Sequence, residues 1–179
     1  MKIALFGGSF DPPHLGHDTI VKEALKSLDI DRLIIMPTFI SPFKAGFRAQ
    51  ASLRLAWARL LWGKLPRVLI SDFEIAQNRP VPSIESVLHL ERLYKPSKFY
   101  LIIGADHLAR LSSWHRFDEL AQKVEFIIAK RADIAVPKEF KSLETHIDIA
   151  SSLIRDRLDL ACVDKRIKAE VKKTYAKVL

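Results

Sequence analysis

The sequence predicts an α/β protein with a Rossmann-like, doubly wound and mainly parallel sheet that carries helices on both faces. Short, nearly continuous apolar runs recur along the chain, and such runs are typical of buried parallel strands. Segments with apolar residues at helical spacing separate these runs. The first strand, helix and strand together take only 36 residues, which indicates a βαβ unit with a right-handed crossover.

The first βαβ unit can be followed residue by residue. An apolar run at residues 2–6 ends in glycines and predicts the first strand. A helix is expected from about His17, and a second strand at residues 32–36 is stopped by Pro37. The helical periodicity is carried by Ile20, Val21, Ala24, Leu25 and Leu28.

The same alternation continues to the end of the chain. The later elements are, in order, a loop at 37–50, a helix at 51–62, a strand at 68–70, a helix at 84–94, and strands at 99–103, 124–129 and 145–149. Ser83 is a candidate N-cap for the helix at 84–94. Ser151 or Ser152 can cap a helix that ends near Arg157, and Asp164 begins a last helix. We expect one domain over residues 1–179, with a C-terminal helical part at 151–179.

Composition narrows the class of protein. A chain of 179 residues with 49% hydrophobic residues is expected to form one compact domain. Its net charge of +8 is concentrated in a stretch without Asp or Glu between Arg32 and Ser71 and in a basic run near the C-terminus. Such surfaces favour phosphate-bearing partners. Aromatic residues are not interleaved with the basic ones, so we expect no nucleic acid partner.

Cysteine content and hydropathy indicate the compartment. Cys162 is the single cysteine, so no internal disulfide can form and a reducing compartment is expected. Only four apolar residues precede Gly7, too few for a signal-peptide core, and no run is long enough to span a bilayer. We therefore expect a cytoplasmic protein without a membrane partner. A homo-oligomer is compatible with this composition.

The segment after the first strand, GGSFDPPHLGH at residues 7–17, carries the main chemical signal. Neither a P-loop nor a G-x-G-x-x-G dinucleotide fingerprint is present. Glycines allow backbone N–H groups to approach an anion, and the start of the following helix adds positive potential. His14 and His17 are three residues apart, so their side chains can face the same side of the first helical turn. Gly16 leaves room for a sugar or base.

A second segment, IASSLIR at residues 149–155, accompanies the first in a known family. The His14 to His17 segment resembles the [HT]-x-G-H motif of the nucleotidylyltransferase superfamily, and residues 149–155 are similar to its I-S-S-T-x-I-R motif. Within the superfamily, the chain most resembles the bacterial nicotinate-nucleotide adenylyltransferase family over nearly its full length.

Intervening residues follow that family in part. Residues 37–44 stand in place of its N-P-x-x-P-P-H-K-like loop, with Phe43 where histidine is common beside Lys44. Glu74, Arg79 and residues 83–86 loosely follow an E-x-x-R and S-Y-T-x-D-T-L region, with Pro82 in place of tyrosine. Residues 104–106 and 114–116 resemble the G-x-D and W-x-R segments.

The resemblance implies a reaction of ATP with nicotinate mononucleotide that yields nicotinate adenine dinucleotide and pyrophosphate. It implies that His17 stabilises charge on the α-phosphate and that His14 lies against the same triphosphate region. Lys44 and Arg155 are the expected cationic contacts to phosphate. Mg²⁺ is expected to bind mainly through the phosphates and water, because no cluster of carboxylates offers a full protein site.

The remaining candidate residues divide between the two substrates. The expected ATP-binding residues are Gly7, Gly8, Ser9, Phe10, Gly16, Gly104, Asp106, Ser151 and Ser152. Trp114 is the candidate for stacking on the pyridine ring, with Ser83 and His115 nearby. Trp57 and Trp62 lie in an apolar helical pattern and are expected in the core.

Other functions remain open from the sequence. Phosphopantetheine adenylyltransferases share both motifs, and nicotinamide mononucleotide is an alternative substrate. A non-catalytic nucleotide or RNA-binding module is the alternative from another class. The sequence does not separate the acid from the amide substrate, and it leaves the oligomeric state, the divalent metal and the role of the basic C-terminal run open.

Overall fold

Six strands form a single parallel sheet with the first strand near its middle. The structure is a computed structural model that describes residues 1–41, 46–131, 134–145 and 149–176. The strands are β1 (Lys2–Gly8), β2 (Arg32–Pro37), β3 (Val68–Ile70), β4 (Lys98–Gly104), β5 (Glu125–Ala129) and β6 (Lys141–Leu143). Their order is β3-β2-β1-β4-β5-β6, and each neighbouring pair is parallel. The predicted fold class is confirmed.

Helices cover both faces of this sheet. They are α1 (Leu15–Ser27), α2 (Ala51–Trp62), α3 (Phe73–Ala76), α4 (Ser83–Tyr94), α5 (Phe117–Lys123), α6 (Ser151–Arg157) and α7 (Lys168–Ala176), with a 3₁₀ segment at Ala105–Ser113. Successive strand residues point to opposite faces, so Ala4 and Phe6 pack with α1, α2, α6 and α7. Ile3 and Leu5 pack on the other face with α4, α5 and the 3₁₀ segment. This two-sided burial explains why the strands have nearly continuous apolar sequences.

The strand order places a crevice between β1 and β4. The helix that follows β1 packs on one face, and the 3₁₀ segment that follows β4 packs on the other. The chain therefore diverges at the carboxyl ends of these two strands, where ligands bind in open α/β sheets. Gly8 and Gly104 end the two strands at this point.

Several helix starts differ from the predicted ones. Helix α1 begins at Leu15, not His17, because His14 has extended backbone angles and is the N-cap. Ser83 is the first residue of α4 and not its cap, a position that Pro82 takes. Ser151 likewise lies inside α6, after Ala150.

The predicted strand at 145–149 is not found at either of its ends. Thr145 and Ile149 are not in a strand, residues 146–148 lie outside the described residues, and the last strand that the structure describes is β6, earlier in the chain. Only Leu143 of this strand is buried, so it has no apolar run to reveal it. The last helix, α7, begins at Lys168, because the Asp164 carboxylate accepts the backbone N–H of Arg166 in a turn, with an N–O distance of 2.8 Å.

Three short helical segments were not predicted. Helices α3 and α5 and the 3₁₀ segment have four, seven and nine residues, too few for a clear apolar period. Within the described part of the chain, no helix is both long and apolar enough to cross a membrane.

Candidate active site

A cleft of about 660 Å³ opens at the carboxyl ends of β1 and β4. Every predicted site residue that the structure describes lines it: Gly7, Gly8, Ser9, Phe10, His14, Gly16, His17, Ser83, Gly104, Asp106, Trp114, His115, Ser151, Ser152 and Arg155. Lys44 lies outside the described residues. Sequence segments that are far apart in the chain therefore meet at one site.

The two histidines form a stacked pair at the start of α1. Their ring centroids are 3.8 Å apart with an interplanar angle of 24°. The backbone N–H of His14 donates to Nδ1 of His17 at 3.3 Å, so a neutral His17 ring carries its proton on Nε2. Burial, with a smaller contribution from the charge of Arg131, lowers the pKa of His14 to about 4. His14 is therefore neutral near pH 7.

The loop between β1 and α1 is tightly packed. Phe10 is 1% exposed and has a φ of 46°, a left-handed conformation that is costly for a residue with a side chain. Its ring packs edge-on against His17 with centroids 5.0 Å apart. A Cβ atom at Gly8 would lie 3.0 Å from the Phe10 ring, so this position has little room for a side chain. Packing of Phe10 thus sets the position of the histidine pair.

The second predicted motif contacts the first directly. The Ser151 hydroxyl donates to the Pro12 carbonyl at 3.0 Å, and the Arg155 guanidinium donates to the Asp11 carbonyl. The Ser151 hydroxyl thus holds the loop, and Ser151 also lines the cleft, where the sequence predicts it to contact ATP. Arg155 also keeps part of its side chain on the cleft surface.

Two buried charged residues that the sequence analysis did not select hold the loops in place. Asp11 accepts hydrogen bonds from the backbone N–H groups of Arg48 and Ala49, at 3.1 and 3.0 Å, and from the Tyr175 hydroxyl at 2.6 Å. Arg54 is fully buried on α2 and, among the described residues, donates its hydrogen bonds to backbone carbonyls. Its acceptors are the carbonyls of Ser9, Thr38, Phe39 and Ala49.

Further charged residues lie where β4 and β5 end. A Cβ atom at Gly104 would lie 2.4 Å from Oδ1 of Asp106, so a side chain at this position would displace the Asp106 carboxylate. Arg131 lies 4.0 Å from Asp106 and, with Lys130, adds positive charge to the cleft. Both basic residues directly follow β5. Their position after a buried strand was a sequence signal that could have identified them.

The start of α4 and the end of the 3₁₀ segment also contribute to the cleft. Ser83, Trp114 and His115 lie there, and the Trp114 ring contacts His107 edge-on at 5.6 Å between centroids. Glu74 also lines the cleft although it is only 5% exposed. The Ser86 hydroxyl donates to Oε1 of Glu74 at 2.7 Å, whereas Oε2 has no hydrogen-bond partner among the described residues.

Burial controls the ionisation of this carboxyl group. Desolvation raises the pKa of Glu74 to about 7, opposed by the Ser86 hydrogen bond and reinforced by the charge of Glu85. Glu74 therefore changes protonation state within the physiological range. The loose E-x-x-R pattern at this position was the only sequence signal for it.

Protein ligands for a metal are sparse in the cleft. Asp106 offers a half-exposed carboxylate at the strand ends, whereas the Asp11 carboxylate is occupied by three hydrogen bonds. Within the described residues, no group of three His, Cys, Asp or Glu side chains could hold a metal ion. This donor set fits a cation that arrives with phosphate and water ligands.

Comparison with known proteins agrees with the parallel sheet and with the two motifs. The model of the cytidylyltransferase-like family matches residues 5–157, so the chain belongs to this family of nucleotidyl-transferring enzymes. The predicted superfamily resemblance is thereby confirmed.

Individual relatives are more specific. The chain is 62% identical to a probable nicotinate-nucleotide adenylyltransferase of Campylobacter jejuni subsp. jejuni, strain 81-176, over 99% of this chain and 98% of that relative. It is 47% identical to a protein of the same name from Sulfurimonas denitrificans, over 97% of this chain and 94% of that relative.

A solved structure has the same fold. The nicotinic acid mononucleotide adenylyltransferase of Plasmodium falciparum, complexed with NaAD, matches with a TM-score of 0.78. The match covers 97% of this chain and 95% of that chain at 18% sequence identity, so it bears on the fold alone.

Proposed function

We propose that this protein transfers the adenylyl group of ATP to nicotinate mononucleotide, which produces nicotinate adenine dinucleotide and pyrophosphate. One observation carries the proposal: both motifs border one cleft at the β1–β4 crevice, joined by hydrogen bonds from Ser151 and Arg155 to the loop before α1. The names of relatives up to 62% identical over nearly the whole chain support the same substrate.

The reaction needs alignment more than a protein nucleophile. An oxygen of the mononucleotide's 5′-phosphate attacks the α-phosphorus of ATP, a new P–O bond forms, and the bond to the bridging oxygen of pyrophosphate breaks. The phosphate is already a competent nucleophile, so the cleft has to hold two anions in line and stabilise the charge that develops.

His17 and Arg155 are suited to that stabilisation. The Nε2–H of a neutral His17 is a hydrogen-bond donor for an α-phosphate oxygen, and its orientation is set by the Nδ1 hydrogen bond. His14 stacks on His17 and, being neutral, supplies orientation but no charge. Arg155 supplies positive charge, and Arg131 is a further candidate beside Asp106. We also retain Lys44 as a proposed phosphate contact.

Further residues of the cleft would bind the two substrates, ATP and the mononucleotide. ATP would bind along the glycine-rich loop and the facing segments that line the cleft: Gly7, Gly8, Ser9, Phe10, Gly16, Gly104, Asp106, Ser151 and Ser152. Trp114 would stack on the pyridine ring, with Ser83 and His115 near its carboxylate. Mg²⁺ would bind to the ATP phosphates and water, with Asp106 as the nearest protein ligand, and would neutralise charge on the leaving pyrophosphate.

A pyrophosphate-release assay tests the proposal. The purified protein is incubated with ATP and Mg²⁺ and with nicotinate mononucleotide, nicotinamide mononucleotide or phosphopantetheine in parallel. We expect the highest kcat/KM with nicotinate mononucleotide. A preference for either other substrate would overturn the substrate assignment, and no turnover with any of them would overturn the enzyme assignment. Salt-sensitive RNA binding without turnover would favour the binding module.

A further inference from the structure

The pyridine end of the cleft contains a buried acid with an unused oxygen. Glu74 is 5% exposed, yet it lines the cleft, and its Oε2 has no hydrogen-bond partner among the described residues. A buried polar atom without a partner is energetically unfavourable, so a ligand group that pairs with it gains affinity. Oε1 is already held by Ser86 at 2.7 Å, which fixes the direction of the carboxyl plane.

This acid lies close to the residues proposed for the pyridine ring. Its partner Ser86 is on α4, one helical turn from Ser83, which lines the cleft. Glu85, next to Ser86, interacts electrostatically with His115. Glu74 therefore borders the part of the cleft that we propose for the pyridine ring.

We propose that Glu74 is a specificity-determining residue whose uncharged carboxyl group donates a hydrogen bond from Oε2 to the ring carboxylate of nicotinate mononucleotide. This inference rests on the proposed function. The ionised form of Glu74 would repel the same carboxylate, so binding of the acid substrate requires the proton. The amide of nicotinamide mononucleotide tolerates both forms, because its oxygen accepts from the neutral acid and its N–H donates to the ionised one.

Burial makes the neutral form accessible near pH 7. Desolvation raises the pKa of Glu74, and a bound carboxylate next to it raises the pKa further. The charged and titratable groups described beside Glu74 are Glu85 paired with Arg79, Asp72 paired with Arg59, His89 stacked on Phe73, and His115, which interacts electrostatically with Glu85.

The test compares the two substrates as a function of pH. We would measure kcat/KM with ATP and Mg²⁺ between about pH 6 and 9 for wild type and Glu74→Gln. For wild type, KM for nicotinate mononucleotide is expected to rise above about pH 7, approaching tenfold per pH unit, while KM for the amide changes little. Both substrates carry the same 5′-phosphate. The ratio of their two KM values is therefore unaffected by the titration of that phosphate.

Glu74→Gln should make this ratio nearly independent of pH. The glutamine keeps an N–H donor and an oxygen that can accept from Ser86, but it carries no charge at any pH. Glu85→Gln is the matched control, because it removes one carboxylate from the same region outside the cleft. We expect Glu85→Gln to keep the rise of the ratio with pH, moved to lower pH because the charge of Glu85 helps to raise the pKa of Glu74.

Ser86→Ala provides an independent variant with a different expected result. The Ser86 hydrogen bond lowers the pKa of Glu74, so its loss should move the rise in KM for the acid to higher pH. A ratio that depends on pH equally in wild type, Glu74→Gln and Ser86→Ala would overturn the role of Glu74. Failure of wild type to use either mononucleotide would instead overturn the proposed function.

Discussion

At the scale of single residues, His14 and His17 show how local spacing becomes chemistry. Their three-residue separation predicted a shared face on the first turn of α1, and the stacked rings confirm it. The structure adds the hydrogen bond that sets the tautomer of His17 and the burial that keeps His14 neutral. His14 therefore adds no positive charge to the site, whereas Arg131 and Arg155 line the cleft as cations.

His17→Ala should lower kcat by about 10²-fold or more, because one contact to the transition state is lost. His17→Gln should retain more activity than His17→Asn, since the longer amide nitrogen reaches the position of Nε2 and the shorter one does not. Steady-state turnover at saturating substrates measures this, with thermal unfolding as the check on folding. Near wild-type kcat in a folded His17→Ala variant would remove His17 from the proposed catalytic role.

Trp114→Ala should raise KM for the mononucleotide about tenfold or more and leave KM for ATP within about a factor of two. An aromatic stacking contact is worth about 1–3 kcal/mol, and only the pyridine ring is expected to use this one. Trp62→Phe, in the core, is a comparison that changes an indole outside the cleft. Equal losses for both substrates in Trp114→Ala would indicate a packing role.

At the scale of elements, helix α2 positions the loops that carry the site. Its tryptophans, Trp57 and Trp62, are buried as predicted, and their indole N–H groups donate to Glu170 and Asp18 at 2.7 and 3.1 Å. From the same helix, Arg54 reaches the loop after β1 and the loop after β2. Arg54 thereby anchors both loops to helix α2.

Arg54→Met should destabilise the fold by about 3–5 kcal/mol, because buried carbonyls lose their donors. We also expect turnover to fall, since the carbonyl of Ser9 is one of those acceptors. Urea unfolding of Arg54→Met and of Arg59→Met measures the difference. Arg59 is on the same helix with a half-exposed side chain, so its substitution should cost no more than about 0.5 kcal/mol. Equal losses in the two variants would contradict the role of Arg54.

At the scale of the whole molecule, the last helix is tied to the first loop. The Tyr175 hydroxyl of α7 donates to the Asp11 carboxylate, and burial together with this hydrogen bond raises the pKa of Tyr175. Arg48 and Ala49 donate to the same carboxylate from the segment before α2. The loop before α1 is therefore held by three distant parts of the chain, counting Arg155 on α6.

Tyr175→Phe should cost about 1–3 kcal/mol of unfolding free energy and raise KM for ATP, because Asp11 loses a donor in a buried site. Tyr94→Phe removes the same hydroxyl from a half-buried position at the end of α4, and we expect a change within about 0.5 kcal/mol. Denaturant unfolding and ATP titrations of the two variants measure the effect. Indistinguishable unfolding curves would show that α7 does not support the loop.

The sequence predicted some elements of the fold and some residues of the cleft better than others. The strands at the centre of the sheet and the helices α1, α2 and α4 were predictable because apolar periodicity is a local property. Strand β6 has one buried residue, and α3 has four residues, so neither leaves such a pattern. The cleft residues at 7–17 and 149–155 were predictable because each motif is short and contiguous, although their assigned roles stay predictions.

The sequence by itself determined the parallel α/β fold, the two motifs and the family. Only the tertiary structure decided that Asp11 and Arg54 hold the loops, that Arg131 lies beside Asp106, and that Glu74 is buried in the cleft. The physical reason is that burial and hydrogen bonding between residues up to 164 positions apart depend on how the sheet brings elements together. Burial in the folded protein sets the ionisation of His14 and Glu74. Residue type and spacing in the sequence do not reveal that burial.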